Sequence, residues 1–134
     1  MRILAALFID TIDLRQVEGP STRIDLGGVK FSQAAPSAFP VTLEPHLVVL
    51  VHNPDGGRPD AVLEVTYWRD DEQLARNVQP LQVEPGKFNY RLVRAELTFD
   101  EPGSVEARCC VDRDEPVVVP LTILPPAATP AAEA

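Results

Sequence analysis

Between residues 40 and 124 the chain is a succession of short apolar segments, most of them alternating with polar residues and cut by proline- and glycine-rich turns. Alternation with a period of two buries one face of an extended strand. Breakers at this spacing leave no window long enough for an amphipathic helix. The pattern therefore predicts an all-β domain, an antiparallel β-sandwich of immunoglobulin-like type with about eight strands.

Strands are expected over residues 3–13, 23–33, 43–52, 61–68, 73–78, 87–99, 104–112 and 117–124. Leu47-Val-Val-Leu-Val51 is apolar on both parities and reads as a central strand, whereas Ala61, Leu63, Val65 and Tyr67 alternate with Val62, Glu64, Thr66 and Trp68 as in a half-buried one. Turns are expected over 17–22, 53–59, 70–72, 100–103 and 113–115, with a loop over 80–86 and a connection over 34–40 that carries the chain to the other sheet. Gly27-Gly28 predicts a bulge or a close backbone approach. Over 87–99 the apolar parity slips: Phe88, Tyr90 and Leu92 lie on one side, Val93, Ala95, Leu97 and Phe99 on the other. That slip predicts a bulge near Leu92 or a strand that changes sheets. Pro120 places the last strand at an edge or a bulge. Residues 1–124 form one domain, and the Ala/Pro-rich 125–134 has too little to bury and is expected to be disordered.

Twelve basic against twenty acidic side chains give a net charge of −8. Nucleic-acid binding needs a basic footprint, and an anionic lipid surface repels this chain, so neither partner is expected. No apolar run approaches the roughly 20 residues that cross a bilayer. The apolar opening, Met1 to Ile9, runs into Asp10 and Asp13 without a small-residue cleavage site and reads as a first strand. The expected location is cytoplasmic, where thiols stay reduced. Cys109 and Cys110 are neighbours on one strand and point to opposite faces, which disfavours a bond between them. Cys109 falls on the apolar parity as a small core residue; Cys110 shares the outer face with Glu106, Arg108 and Asp112.

Chemistry is sparse. His46 and His52 share a strand face but stand roughly 20 Å apart, too far for one metal. No serine sits in a nucleophile elbow, and Cys110 has no histidine nearby in sequence. The acidic groups at 70–72 and 112–115 match no calcium loop and read as solvated hairpin tips. Tyr67 continues the core parity. Trp68 lies on the opposite face with Glu64 and Thr66, packed beneath a neighbouring loop or open to a partner.

Leu26-Gly-Gly28, Ala38-Phe-Pro40, Leu97-Thr-Phe-Asp-Glu-Pro-Gly103, Cys110-Val-Asp112 and Val119-Pro-Leu121 carry a resemblance across residues 26–121. In these blocks the chain resembles a family of small bacterial β-sandwich proteins known as a domain of unknown function. The Phe…Pro-Gly turn followed by two strands is also similar to the closing hairpin of immunoglobulin-like domains. The resemblance implies that fold and transfers no catalytic residue.

These observations lead to the expectation of a non-enzymatic protein without cofactor or bound metal, acting through protein–protein contacts as an accessory subunit, adaptor or self-associating scaffold. Trp68, Val118 and Pro120 are the candidate contact residues, with 117–124 as an edge able to accept a partner strand. The alternative is a small-ligand or carbohydrate-binding module, with Trp68 as a stacking platform and a weak calcium site where the acidic tips meet. A third reading is an enzyme that uses Cys110.

Overall fold

The computed structural model describes residues 1–16 and 22–127. These residues form twelve strands and no helix: β1 (Arg2–Ile9), β2 (Thr11–Gln16), β3 (Thr22–Gly27), β4 (Ser32–Ala34), β5 (Val41–Leu43), β6 (His46–His52), β7 (Asp60–Arg69), β8 (Glu72–Gln82), β9 (Phe88–Arg94), β10 (Leu97–Phe99), β11 (Gly103–Val111) and β12 (Val117–Leu124). A five-stranded sheet has the order β4-β12-β11-β7-β8, a three-stranded sheet the order β1-β6-β9, and β5–β10 and β2–β3 form two-strand ladders. Every pairing is antiparallel except that of β4 with β12. The expected turn over 17–22 and most of the expected tail lie outside the described residues.

The count exceeds eight because four of the expected strands each divide in two, and each break has a local cause. At Asp10 the chain leaves the three-stranded sheet to begin the β2–β3 ribbon; the Asp10 N–H donates to the carbonyls of Gly27 and Gly28 at 3.0 and 3.1 Å. This is the close backbone approach the glycine pair announced. Gly28 has φ +65°, and a Cβ there would run into the Asp10 carboxylate. β3 and β4 are separated by the residues around Lys30, whose N–H donates to Phe8 O at 2.8 Å. β5 and β6 are split at Glu44-Pro45, opposite Ala95-Glu96 between β9 and β10. The ladder nevertheless keeps one register across the gap, since His46 faces Arg94 and Leu43 faces Leu97. Pro45 has no N–H to contribute there.

One core joins the sheets. Ala6 and Phe8 of β1, Leu47, Val49 and Val51 of β6, and Val93 of β9 pack in the same cluster as Leu63, Val65 and Tyr67 of β7, Val105, Ala107 and Cys109 of β11, and Leu121 and Ile123 of β12. Each fully buried Leu, Ile or Phe here contributes roughly 1.5–3 kcal/mol relative to exposure. The expected crossing over 34–40 is present, taking the chain from β4 in the large sheet to β5 on the other side.

The parity slip over 87–99 has a different cause from either one expected. β9 pairs with β6 in a single register from Phe88 to Arg94, without a bulge and without leaving its sheet. Both faces of the three-stranded sheet are apolar. Val48, opposite in parity to the core-facing Leu47 and Val49, is fully buried as well. The register shifts lie elsewhere, at Ile3/Ala5 between β1 and β6 and at Tyr67/Trp68 between β7 and β8.

The expected loop at 80–86 is also shorter: β8 runs through Pro80 to Gln82. Pro80 is tolerated because β8 is a margin of its sheet. Side chains bridge this margin to β9. Asn89 Nδ2 donates to Gln82 O at 2.8 Å and Arg91 Nε to Pro80 O at 3.3 Å.

Candidate functional site

The outer face of the five-stranded sheet gathers all three candidate residues. Trp68 lies opposite Glu106, and Glu106 opposite Pro120, in one cross-strand row. The next row holds Arg76, Thr66, Arg108 and Val118, and the one after it Val78, Glu64 and Cys110. Alternation in β7, β11 and β12 places these residues outward because their neighbours Val65, Tyr67, Ala107, Cys109 and Leu121 fill the core.

Trp68 is half-buried, held by a cation rather than by a loop. The Arg108 guanidinium carbon stands 4.6 Å from the ring centroid, and the indole N–H donates to Thr66 Oγ1 at 2.9 Å. One face of the indole is therefore occupied by the guanidinium. Arg76 meets the Glu64 carboxylate through Nε at 2.9 Å and Nη2 at 2.7 Å, and Arg108 Nε lies 3.8 Å from Glu106. The charges on this face are paired with one another. Between them stand exposed Val62, Val78 and Val118, together with Pro80 and Pro120.

On this face a groove of about 660 Å³ runs from Val62 and Val78 past Cys110 to the turn at Asp112–Asp114. That turn is tight: Asp112 and Arg113 have φ of 49° and 67°, and Asp112 Oδ1 accepts the Val62 N–H at 2.9 Å. Cys110 lines the groove, and partial burial together with the Glu64 and Asp114 carboxylates pushes its thiol above the usual range. The thiolate is thus disfavoured. His46 and His52 lie on β6 with a parity opposite to the core-facing Leu47 and Val51, on the far side of the core from Cys110. No imidazole stands near enough to activate this thiol. Cys109 is buried and free, as its parity required.

The two acidic tips are not neighbours. Along the β7–β11 ladder Trp68 faces Glu106 while Leu63 faces Val111, so the Asp70–Glu72 tip and the Asp112–Glu115 tip sit at opposite ends of the sheet. The calcium site expected where they meet is not formed. Among the described residues no three His, Cys, Asp or Glu side chains are grouped to hold a metal ion.

The last strand is only partly an edge. β4 pairs with its end, from Thr122 to Leu124, and the Thr122 N–H donates to Phe31 O at 3.1 Å. Among the described residues, Val117 to Leu121 has no strand on that side. Val118 and Pro120 share the parity of Thr122, so their main-chain groups point out of the sheet. Pro120 supplies no N–H, and the open stretch offers a single outward donor, that of Val118.

Sequence reasoning missed a second surface. Leu14 and Ile24 of the β2–β3 ribbon face Leu4, Leu50 and Tyr90 of the three-stranded sheet across a cleft of about 680 Å³. Its signal was present in the apolar second parity of β9, which reads correctly as a sheet with two apolar faces.

A search of known protein families returns no match to the chain, and a comparison with curated proteins returns none. The resemblance carried by the Leu26-Gly-Gly28 and Leu97–Gly103 blocks therefore stands on the small all-β domain alone.

Proposed function

We propose that this protein is a non-enzymatic protein-contact module whose binding surface is the outer face of the five-stranded sheet. The observation that carries the reading is the composition of that face. Trp68, Val62, Val78, Val118 and Pro120 stand among Glu64–Arg76 and Glu106–Arg108 pairs that neutralise each other, on a chain whose net charge is −8. A surface with an aromatic anchor clamped by an arginine, little net charge and exposed apolar side chains matches what protein interfaces are made of.

The finer fold reading is an immunoglobulin-like sandwich. Its support is the order β12-β11-β7, which corresponds to the last, penultimate and third strands of such domains, with the β6–β9 pair in the other sheet. Tyr67 and Cys109 in the core stand where those domains carry an aromatic residue and a cysteine. The free thiols favour a reducing, cytoplasmic setting.

The test is a native pull-down followed by reconstitution with the purified partner, including a second copy of this chain. Val78→Glu and Val118→Glu are expected to abolish complex formation, since each places a charge on the face without touching the core. Leu14→Asp, on the ribbon, is expected to leave it intact. Complexes indifferent to both valine changes would overturn the assignment of this face.

A further inference from the structure

We propose that the cleft between the β2–β3 ribbon and the outer face of the three-stranded sheet binds a free single-chain carboxylate amphiphile, its hydrocarbon chain between Leu14 and Leu50 and its carboxylate at Lys87. This site goes beyond the contact face and lies on the other side of the core, so its failure leaves that reading standing.

Three observations carry it. First, size: about 680 Å³ falls within the roughly 300–1,000 Å³ that hold small molecules. Second, both walls are apolar. The ribbon register pairs Ile12 with Leu26 and Leu14 with Ile24 on one face, and of these Leu14 and Ile24 line the cleft opposite Leu4, Leu50 and Tyr90. Leu14 is 62% exposed and Phe88, at the same cleft, 66%. Side chains of this size facing each other across one cleft form a contiguous apolar surface, not scattered exposure.

Third, the polar recognition is narrowed to one cation. Among the described residues that line the cleft, Lys87 is the only charged one. Tyr90 brings a neutral hydroxyl, and the Asn89 amide is already engaged, donating to Gln82 O at 2.8 Å and accepting the Tyr90 N–H at 2.8 Å. Lys87 pairs with Glu84 at 2.6 Å, but both side chains are 68% exposed, so that pair exchanges readily with water. A long flexible stem with a point charge at the end of an apolar slot selects an anionic head with an alkyl tail. The acidic shell disfavours docking on an anionic bilayer, which points to the free monomer as the occupant.

The experiment is calorimetric titration of the full chain with octanoate, decanoate and dodecanoate below their micelle concentrations. Decanol, decyltrimethylammonium and phosphatidylglycerol vesicles are run alongside. Affinity is expected to rise about fourfold per methylene. Carboxylates should bind best and the cationic amphiphile not at all. Leu14→Asp is expected to weaken decanoate about tenfold or more; as the side chain is mostly exposed, folding is retained and is checked by circular dichroism. Lys87→Glu is expected to weaken decanoate while leaving decanol unchanged. The proposal is overturned by no heat at any chain length, by affinity independent of chain length, or by carboxylate binding indifferent to Leu14→Asp or Lys87→Glu. Association with vesicles but not monomers overturns it too. So does a concentration-dependent dimer that Leu14→Asp dissolves without any ligand binding.

Discussion

Asn53 is the one polar side chain buried completely among the described residues, and replacing it tests the account of how the sheets are tied at one end. Its Nδ2 donates to Val83 O at 2.7 Å and to Arg58 O at 3.0 Å, while its own N–H donates to Lys87 O at 3.0 Å and its carbonyl accepts the Gly86 N–H at 2.8 Å. One side chain thus pins the 53–59 turn to the segment that leads into β9. Asn53→Ala leaves the main-chain bonds but orphans two carbonyls, one buried and one partly buried. Each lost bond is worth about 1 kcal/mol net, and a carbonyl left dry costs about 1–3 kcal/mol. Asn53 Oδ1 has no protein partner in the native fold, and deleting it recovers part of that cost. The balance is a loss of about 2–3 kcal/mol, which for a chain of this size lowers the melting temperature by about 10 °C. Asn53→Asp keeps the volume and turns a donor into an acceptor facing two carbonyl oxygens, so at pH 7 it is expected to cost more than alanine. Urea unfolding followed by far-ultraviolet circular dichroism reads both variants on one scale. A loss below 0.5 kcal/mol for Asn53→Ala, within the roughly ±0.5 kcal/mol of an ordinary surface change, refutes the reasoning. Water would then satisfy the Arg58 and Val83 carbonyls, and the turn would not depend on Asn53.

Burial pushes the Cys109 thiol up to about 12 from an ordinary 9.0, so its folded value lies above its unfolded one. The stability it contributes is complete below pH 9 and is lost as pH rises toward 12, at about 1.4 kcal/mol per pH unit; Cys109→Val is expected to flatten urea midpoints measured between pH 9 and 11, and an unchanged slope contradicts this. Gly28→Ala combines a φ of +65° with a clash against the Asp10 side chain and is expected to cost about 1–3 kcal/mol, more than Gly56→Ala, where φ is +78° but nothing lies within 4 Å. Equal melting temperatures for the two would show that Asp10 simply swings aside. Pro120→Val restores an outward N–H to the open part of β12, and light scattering is expected to show stronger concentration-dependent association than for the wild type.

Much of this architecture was legible in the sequence where alternation is strict. Leu63, Val65 and Tyr67 are buried while Glu64, Thr66 and Trp68 are not, and Cys109 and Cys110 divide as their parity requires. Leu47–Val51, apolar on both parities, is the central strand it was read to be, but the reading failed at β9. The Phe88–Tyr90–Leu92 parity has the same local signature whether a strand bulges, changes sheets or carries a second covered face, and only the constant register to β6 distinguishes them. The breaks at Asp10 and Pro45 were invisible for a related reason. They depend on partners distant in the chain, Gly27 and Gly28 in one case and the Ala95-Glu96 step in the other. For the candidate site, parity put Trp68 on the outer face of its strand with Glu64 and Thr66, while Val118 and Pro120 were expected only as part of the 117–124 edge. What parity could not supply was the order of strands, and hence that Arg108 caps the indole or that the two acidic tips point to opposite ends.

On the proposed reading, the same strand order decides between two ways in which this domain would engage a partner. Strand addition needs a row of free main-chain donors and acceptors, and the chain has reduced that row along β8, β9 and β12. β8 and β9 shield each other through Asn89 and Arg91, which spend side-chain donors on Gln82 and Pro80 carbonyls. β4 covers the end of β12, and along the rest of β12 the residue that would donate next to Val118 is Pro120. An added strand there would gain one N–H donor where an unbroken edge of that length would give two. The outer face carries the opposite signature: its ionic groups are paired within the sheet, and its exposed valines and Trp68 gain from exclusion of water without leaving a charge unpaired. That difference in what each surface has left to offer favours the proposed recognition by side chains on the face over strand addition at the poorer edge.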